Sequence, residues 1–176
     1  MRIYLTDLAA YNHGHLVGEW LTLPMEEEEL KEALKGILLR GSELCNHGEV
    51  HEEYFITDWE CDLFDIGEYE SIHKLNEKAQ KVEYFEEDEK QKIHFLLESN
   101  YVSDLDEAIE KVEEVIIHKE TTMKGIAEAY FEEHSMLDGL SDMVRNNIDY
   151  EGVANDLSNG GNYEVIGGDI FEYIGA

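Results

Sequence analysis

Residues 126–157, IAEAYFEEHSMLDGLSDMVRNNIDYEGVANDL, decide how the chain is read. Ile126, Ala127, Tyr130 and Phe131 recur at the spacing of one helix face. The outward positions carry Glu128, Glu132, Glu133, Asp138, Asp142, Asp149, Glu151 and Asp156, and the one cation among them is Arg145. Gly139 marks a turn between helices. A folded segment with ordered carboxylates and almost no counter-charge points to a surface selected for its negative field.

On either side the pattern alternates between strand and helix. Thr122 caps a helix over 123–134 whose buried face is Met123, Ile126, Ala127, Tyr130 and Phe131. Short helices follow near 140–147 and 150–157, the second capped by Asp149. Beyond SNGGN, the stretches YEVIG (163–167) and DIFEYI (169–174) read as strands joined by Gly167–Gly168, a hairpin signal. VIIHK (115–119) reads as a strand before this block. From 71 to 114 the texture is helical, with segments near 71–82, 86–98 and 104–117. In the third, Leu105, Ala108, Ile109, Val112 and Ile116 share a face behind an N-cap at Ser103. Near the start, 2–8 and 17–23 read as strands around the turn-prone YNHGH, and Pro24 ends the second. A helix over 26–39 follows from Leu30, Ala33, Leu34, Ile37 and Leu38. Residues 40–50, with two glycines, read as a loop, and 51–59 as a third strand. The expected fold class is α+β, in three small consecutive domains forming an elongated chain. These are an N-terminal α+β domain with an antiparallel sheet (1–70), a central helical bundle (71–113) and a C-terminal α+β domain (114–176).

Composition narrows the function. The chain has 176 residues, 43% of them hydrophobic, enough to build cores. Asp plus Glu number 42 against 13 Lys plus Arg, for a net charge of -29. Phosphate contacts need cations, so binding to nucleic acid or to anionic membranes is disfavoured. Basic surfaces or cations are the natural partners. Cys45 and Cys61 form no CxxC pair or disulfide framework and read as reduced thiols. MRIYLTDLAAYN reaches Asp7 too soon for a signal peptide, and no run has membrane-spanning length, so a cytoplasmic location is expected.

No cofactor or catalytic signature is present. An EF-hand started at Asp104 would place Ile109 where glycine is required. HExxH and GxSxG are absent, and neither glycine pair is followed by the Lys-Ser/Thr of a P-loop. His13 and His15 could join His47 or His51 around a metal, but without motif spacing they read as solvated loop histidines. Tyr130, Phe131, Trp20 and Trp59 read as core. The chain is expected not to be an enzyme and to hold no metal.

That leaves the carboxylates. Glu26, Glu27, Glu28 and Glu29 fill the first turn of a helix, where the dipole favours anions, yet four in a row exceed what a dipole needs. Glu86, Glu87, Asp88 and Glu89 form a second run. Acids three or four residues apart on a helix stand roughly 5–6 Å apart, a scale comparable to backbone phosphates. Duplex DNA carries a charge per about 1.7 Å, so the net -29 matches about 49 Å of duplex, or about 15 base pairs. Three readings therefore stand on charge alone: a decoy for a DNA-binding protein, a salt-adapted acidic protein, and a cation-binding one.

Four stretches add a resemblance. RIYLTDLAAYNHGHLVGEWLTLP (2–24), EEYFITDWECDLFDIGEYESIHKLNE (52–77), IAEAYFEEHSML (126–137) and NNIDYEGVANDL (146–157) resemble, in order, the ArdA antirestriction proteins. The departure is extra length over 40–50. The resemblance implies three domains in a row, dimerisation through the last, and a curved acidic rod. It implies a DNA mimic, typically carried by mobile elements, that occupies the DNA-binding groove of type I restriction–modification enzymes. All sixteen acids named above are then the candidate phosphate mimics.

Overall fold

A computed structural model describes residues 1–45 and 50–175. The chain divides into two compact units, Met1–Lys90 and Gln91–Ala176. Each contains one three-stranded antiparallel sheet with helices, so the fold class is α+β.

The first unit contains β1 (Arg2–Asp7), α1 (Leu8–Asn12), β2 (Gly18–Thr22), α2 (Glu27–Cys45), β3 (Tyr54–Glu60) and α3 (Ile72–Val82). Its sheet has the order β2-β1-β3. Strand alternation turns Ile3, Leu5, Leu21 and Ile56 to one face, where they meet Leu30 and Ile37 of α2 and Ile72, Leu75 and Ala79 of α3. Full burial of each large side chain is worth about 1.5–3 kcal/mol. Asn76 of α3, almost fully buried, bonds both backbone groups of Met25: Met25 N donates at 2.9 Å and Asn76 Nδ2 donates to the carbonyl at 2.8 Å. This satisfies the amide and ties α3 to the start of α2.

α4 (Glu87–Glu98) follows, then α5 (Leu105–Glu110), β4 (Val115–His118), α6 (Met123–Glu133), α7 (Asp142–Arg145), α8 (Tyr150–Asn159), β5 (Tyr163–Ile166) and β6 (Asp169–Tyr173). The second sheet has the order β4-β6-β5. The β5–β6 hairpin turns at Gly167 and Gly168, both at positive φ, as their sequence position predicts. The second core is aromatic: Phe95 lies 5.4 Å from Phe171, and Tyr101 lies 4.5 Å from Tyr173, centroid to centroid.

Several sequence expectations are corrected. The helix expected over 26–39 runs to Cys45, so residues 40–45 are not loop; 46–49, with the rest of the expected loop's centre and His47, lie outside the described residues. Gly41 looked like a loop glycine, but it is buried in α2 where a Cβ would stand 1.9 Å from Asp7 Oδ2. β3 begins at Tyr54, three residues later than expected. The first strand ends at Asp7, one residue earlier than expected, and Asp7 also caps α1 by accepting a bond from Ala10 N at 2.8 Å. The helix expected over 104–117 stops at Glu110 and continues through a single 3-10 turn, Val112–Glu114. Antiparallel pairing of Val115 with Tyr173 and Ile116 with Glu172 draws the following residues into the sheet and away from the helical face. Its cap is Asp104, which accepts from Glu107 N at 2.9 Å, while Ser103 N donates to the Glu107 carboxylate. Trp20 and Trp59 are not core: they keep 36% and 37% of their surface exposed, with Trp20 against Tyr4 and under Arg2. Tyr130 and Phe131 are half-buried.

Candidate interaction surface

Helix starts place most of the candidate acids. Glu27, Glu28 and Glu29 occupy the first turn of α2, and the Glu26 carbonyl accepts the bond from Leu30 N that opens it. Glu87, Asp88 and Glu89 occupy the first turn of α4, where Glu89 Oε2 accepts from Glu86 N at 2.7 Å. Exposed backbone N–H groups attract carboxylates at the starts of both helices. Glu128, Glu132 and Glu133 stand on α6, where Glu128 and Glu132 are one turn apart on the same side. Asp138 lies in the turn that follows, and Asp142 opens α7. Asp149 caps α8 through Gly152 N at 3.0 Å, and Glu151 and Asp156 continue that helix. All sixteen are exposed except Glu89, which is half-buried. The acids at 26–29 and 86–89 belong to the first unit, the others to the second.

A few are committed locally. Lys31 meets Glu28 at 3.1 Å and Glu27 at 3.7 Å, and the Glu28 bond holds its ammonium above the ordinary lysine value. His73 Nδ1 comes within 2.9 Å of Glu27, at an angle too poor for a hydrogen bond. Lys124 stands 3.6 Å from Glu151. Exposed pairs of this kind are worth about 0–1 kcal/mol, so they hardly offset the field.

Sequence reasoning passed over a third exposed set around β3: Glu52, Glu53, Asp58, Glu60, Asp62, Asp65 and Glu68. The period-two alternation of β3 was the signal that could have found Asp58 and Glu60. Glu107 was also passed over. Ser103 N–H and then Lys111 hold its carboxyl at about 2, so it remains an anion well into acid.

Among the described residues the histidines do not gather. His51 is buried and its Nδ1 lies 2.7 Å from Asp7 Oδ2, a paired core group rather than a solvated loop side chain. His13 Nδ1 contacts the Ala9 carbonyl at 2.7 Å. Among the described residues no three His, Cys, Asp or Glu side chains are arranged to hold a metal. No helix of the described residues is long and apolar enough to cross a membrane. A chemically mixed concavity lies in the second unit, where His118 Nε2 is 2.7 Å from Glu172 Oε2 and the Tyr163 hydroxyl donates to Glu172 Oε1 at 2.7 Å.

The family profile of the antirestriction protein ArdA matches residues 3–172. The chain belongs to the ArdA antirestriction family. A search of curated proteins finds no match. Membership carries an antirestriction, DNA-mimic function aimed at restriction enzymes, in a family of non-enzymatic proteins.

Proposed function

We propose that the protein competes with duplex DNA for the DNA-binding groove of a type I restriction–modification enzyme. The observation that carries this reading is the exposure of the acids at helix starts and on helix faces, with so few of them neutralised by lysine or arginine. Carboxylates fixed on folded helices present their charge without the ordering cost a flexible acidic tail would incur. Basic pockets that accept phosphates accept them instead, and both partners release counterions on contact. Binding energy is distributed over 26–29, 86–89, 128–133 and 138–156, through the segments 1–70, 71–113 and 114–176 in turn. A homodimer joined through the C-terminal segment belongs to the same reading. Self-repulsion at a net charge of -29 per chain requires apolar contact there, and Met136, Leu140, Met143 and Val144 are exposed to supply it.

The deciding experiment is DNA cleavage by a purified type I enzyme, with increasing protein, at several salt concentrations. Inhibition is expected at low salt, falling as a power of the salt concentration. Folded protein that leaves cleavage untouched at low salt refutes the proposal. A panel of other DNA-binding proteins separates antirestriction from a decoy with another target.

A further inference from the structure

Of the sixteen acids, Glu133 alone lines the groove on the second unit. The groove lies between α6 and one face of the β4-β6-β5 sheet and encloses about 490 Å³. Sites for small ligands occupy about 300–1,000 Å³.

The sheet side is a cross-strand cluster. Glu172 on β6 is the register partner of Tyr163 on β5. Its Oε1 accepts from the Tyr163 hydroxyl and its Oε2 meets His118 of β4, both at 2.7 Å. Burial, then the bond to Glu172, pushes the Tyr163 phenol well above its ordinary value, so it stays a donor to Glu172. Each carboxylate oxygen can accept a second donor, so Glu172 has capacity facing the groove. The helix side presents Gly125 and Ala129, one turn apart, which leave the space open, followed by Tyr130 and Glu133. The Tyr130 ring is held by His134, 4.3 Å away between centroids, and His134 Nδ1 lies 2.9 Å from the Tyr130 carbonyl oxygen.

Two carboxylates, Glu133 and Glu172, line the groove against the single ammonium of Lys119, within a chain of net charge -29. An anion is therefore repelled, and a cation is favoured. An aromatic face beside a carboxylate selects among cations. A planar fork of donors can stack on the ring and reach both acceptors, whereas a compact, strongly hydrated ammonium cannot.

We propose that this groove is a recognition site for a guanidinium group, with Glu172 as its acceptor and Tyr130 as its stacking face. The group can come from a free small molecule or from an arginine side chain of the restriction enzyme. Only the second source rests on the function proposed above.

The test is an amide-resolved NMR titration of the full chain with N-acetylarginine methylamide and, separately, its lysine analogue. Saturable shifts are expected at residues 118–134 and 163–172, with the lysine probe at least about tenfold weaker. Shifts spread over the acids at 26–29 and 86–89, or equal response to lysine, overturn the proposal. Ala129→Leu fills the groove from an exposed helix position and is expected to abolish the local shifts while the remaining spectrum persists. Retained binding in that variant also overturns it. Glu172→Gln, which keeps an acceptor, is expected to weaken binding about tenfold. The cleavage assay distinguishes the sources. If Ala129→Leu inhibits about tenfold less well than the natural sequence, the group belongs to the enzyme. If it inhibits equally after losing the probe, the group belongs to a small molecule. Failure of the natural sequence to inhibit at all refutes the decoy and leaves the titration to judge the groove.

Discussion

Gly41→Ala tests the N-terminal core with a sign opposite to simple expectation. In a helix interior, alanine is favoured over glycine by about 1 kcal/mol. At this position the new Cβ would stand 1.9 Å from Asp7 Oδ2, 2.7 Å from Asp7 Cγ and 3.1 Å from His51 Nδ1. Asp7 is fully buried, so its carboxylate cannot retreat into water. It must move by more than an ångström, which breaks its 2.7 Å contact with His51 and strains the 2.8 Å cap on α1. Breaking a buried hydrogen bond and leaving its partner unsatisfied costs about 1–3 kcal/mol, and a lost cap adds about 1. The propensity gain offsets only about 1, leaving a net loss of about 1–3 kcal/mol. For a unit of this size, that lowers the melting temperature by at least about 4 °C. Urea unfolding followed by tryptophan fluorescence reads this unit alone, because Trp20 and Trp59 are the chain's two tryptophans. Gly36→Ala, on the same helix, is the control: its Cβ would meet only Arg40 Nη1, at 3.6 Å. That variant should gain about 0.4–1 kcal/mol. A Gly41→Ala midpoint equal to or above that of the natural sequence would falsify the argument.

Three other outcomes follow from named contacts. Thr122→Ala removes the oxygen that accepts from Gly125 N at 3.1 Å and should destabilise the second unit by about 0.5–2 kcal/mol; calorimetry with no change would show the cap to be idle. The Glu107 carboxyl is lowered from 4.5 to about 2, so its contribution to stability is complete above about pH 4.5 and is lost as the pH falls through about 2. Glu107→Gln should flatten the acid-unfolding curve between those values, and an identical circular-dichroism titration would count against the bond. Replacing Glu28 alone with Gln should change inhibition less than about twofold, whereas replacing Glu26 to Glu29 together should weaken it and reduce its salt slope. A single substitution that abolishes inhibition would argue for a localised contact instead of distributed charge.

How far the sequence reached depends on the range of the interactions involved. α6 was legible because its cap at Thr122 and its apolar spacing lie within one segment. The start of α2 was legible for the same reason, from Leu30, Ala33, Leu34 and Ile37. The β5–β6 hairpin was written in Gly167–Gly168, since a tight turn needs backbone freedom at those two positions. Exposure of the acids also followed directly, because an unpaired carboxylate is too costly to bury.

The remaining features required distant partners. Position 41 in α2 takes a glycine because Asp7 and His51 approach it from β1 and from the residues before β3. α5 ends early because β6 captures Val115, Ile116 and Ile117 as neighbours. Trp20 faces outward because the sheet's core face is already taken by Leu21 and its neighbours, leaving Trp20 to pack on Tyr4 and Arg2. The Glu172 cluster exists because pairing of three strands places Tyr163 and His118 beside one carboxylate. The sequence by itself determined the helix caps at Thr122 and Asp149, the Gly167–Gly168 turn and the strongly negative charge, all of which depend on neighbours along the chain or on the cost of removing charge from water. Tertiary structure alone decided the buried Asp7–His51 pair and the groove under α6, because each consists of side chains that meet only when the sheets have formed.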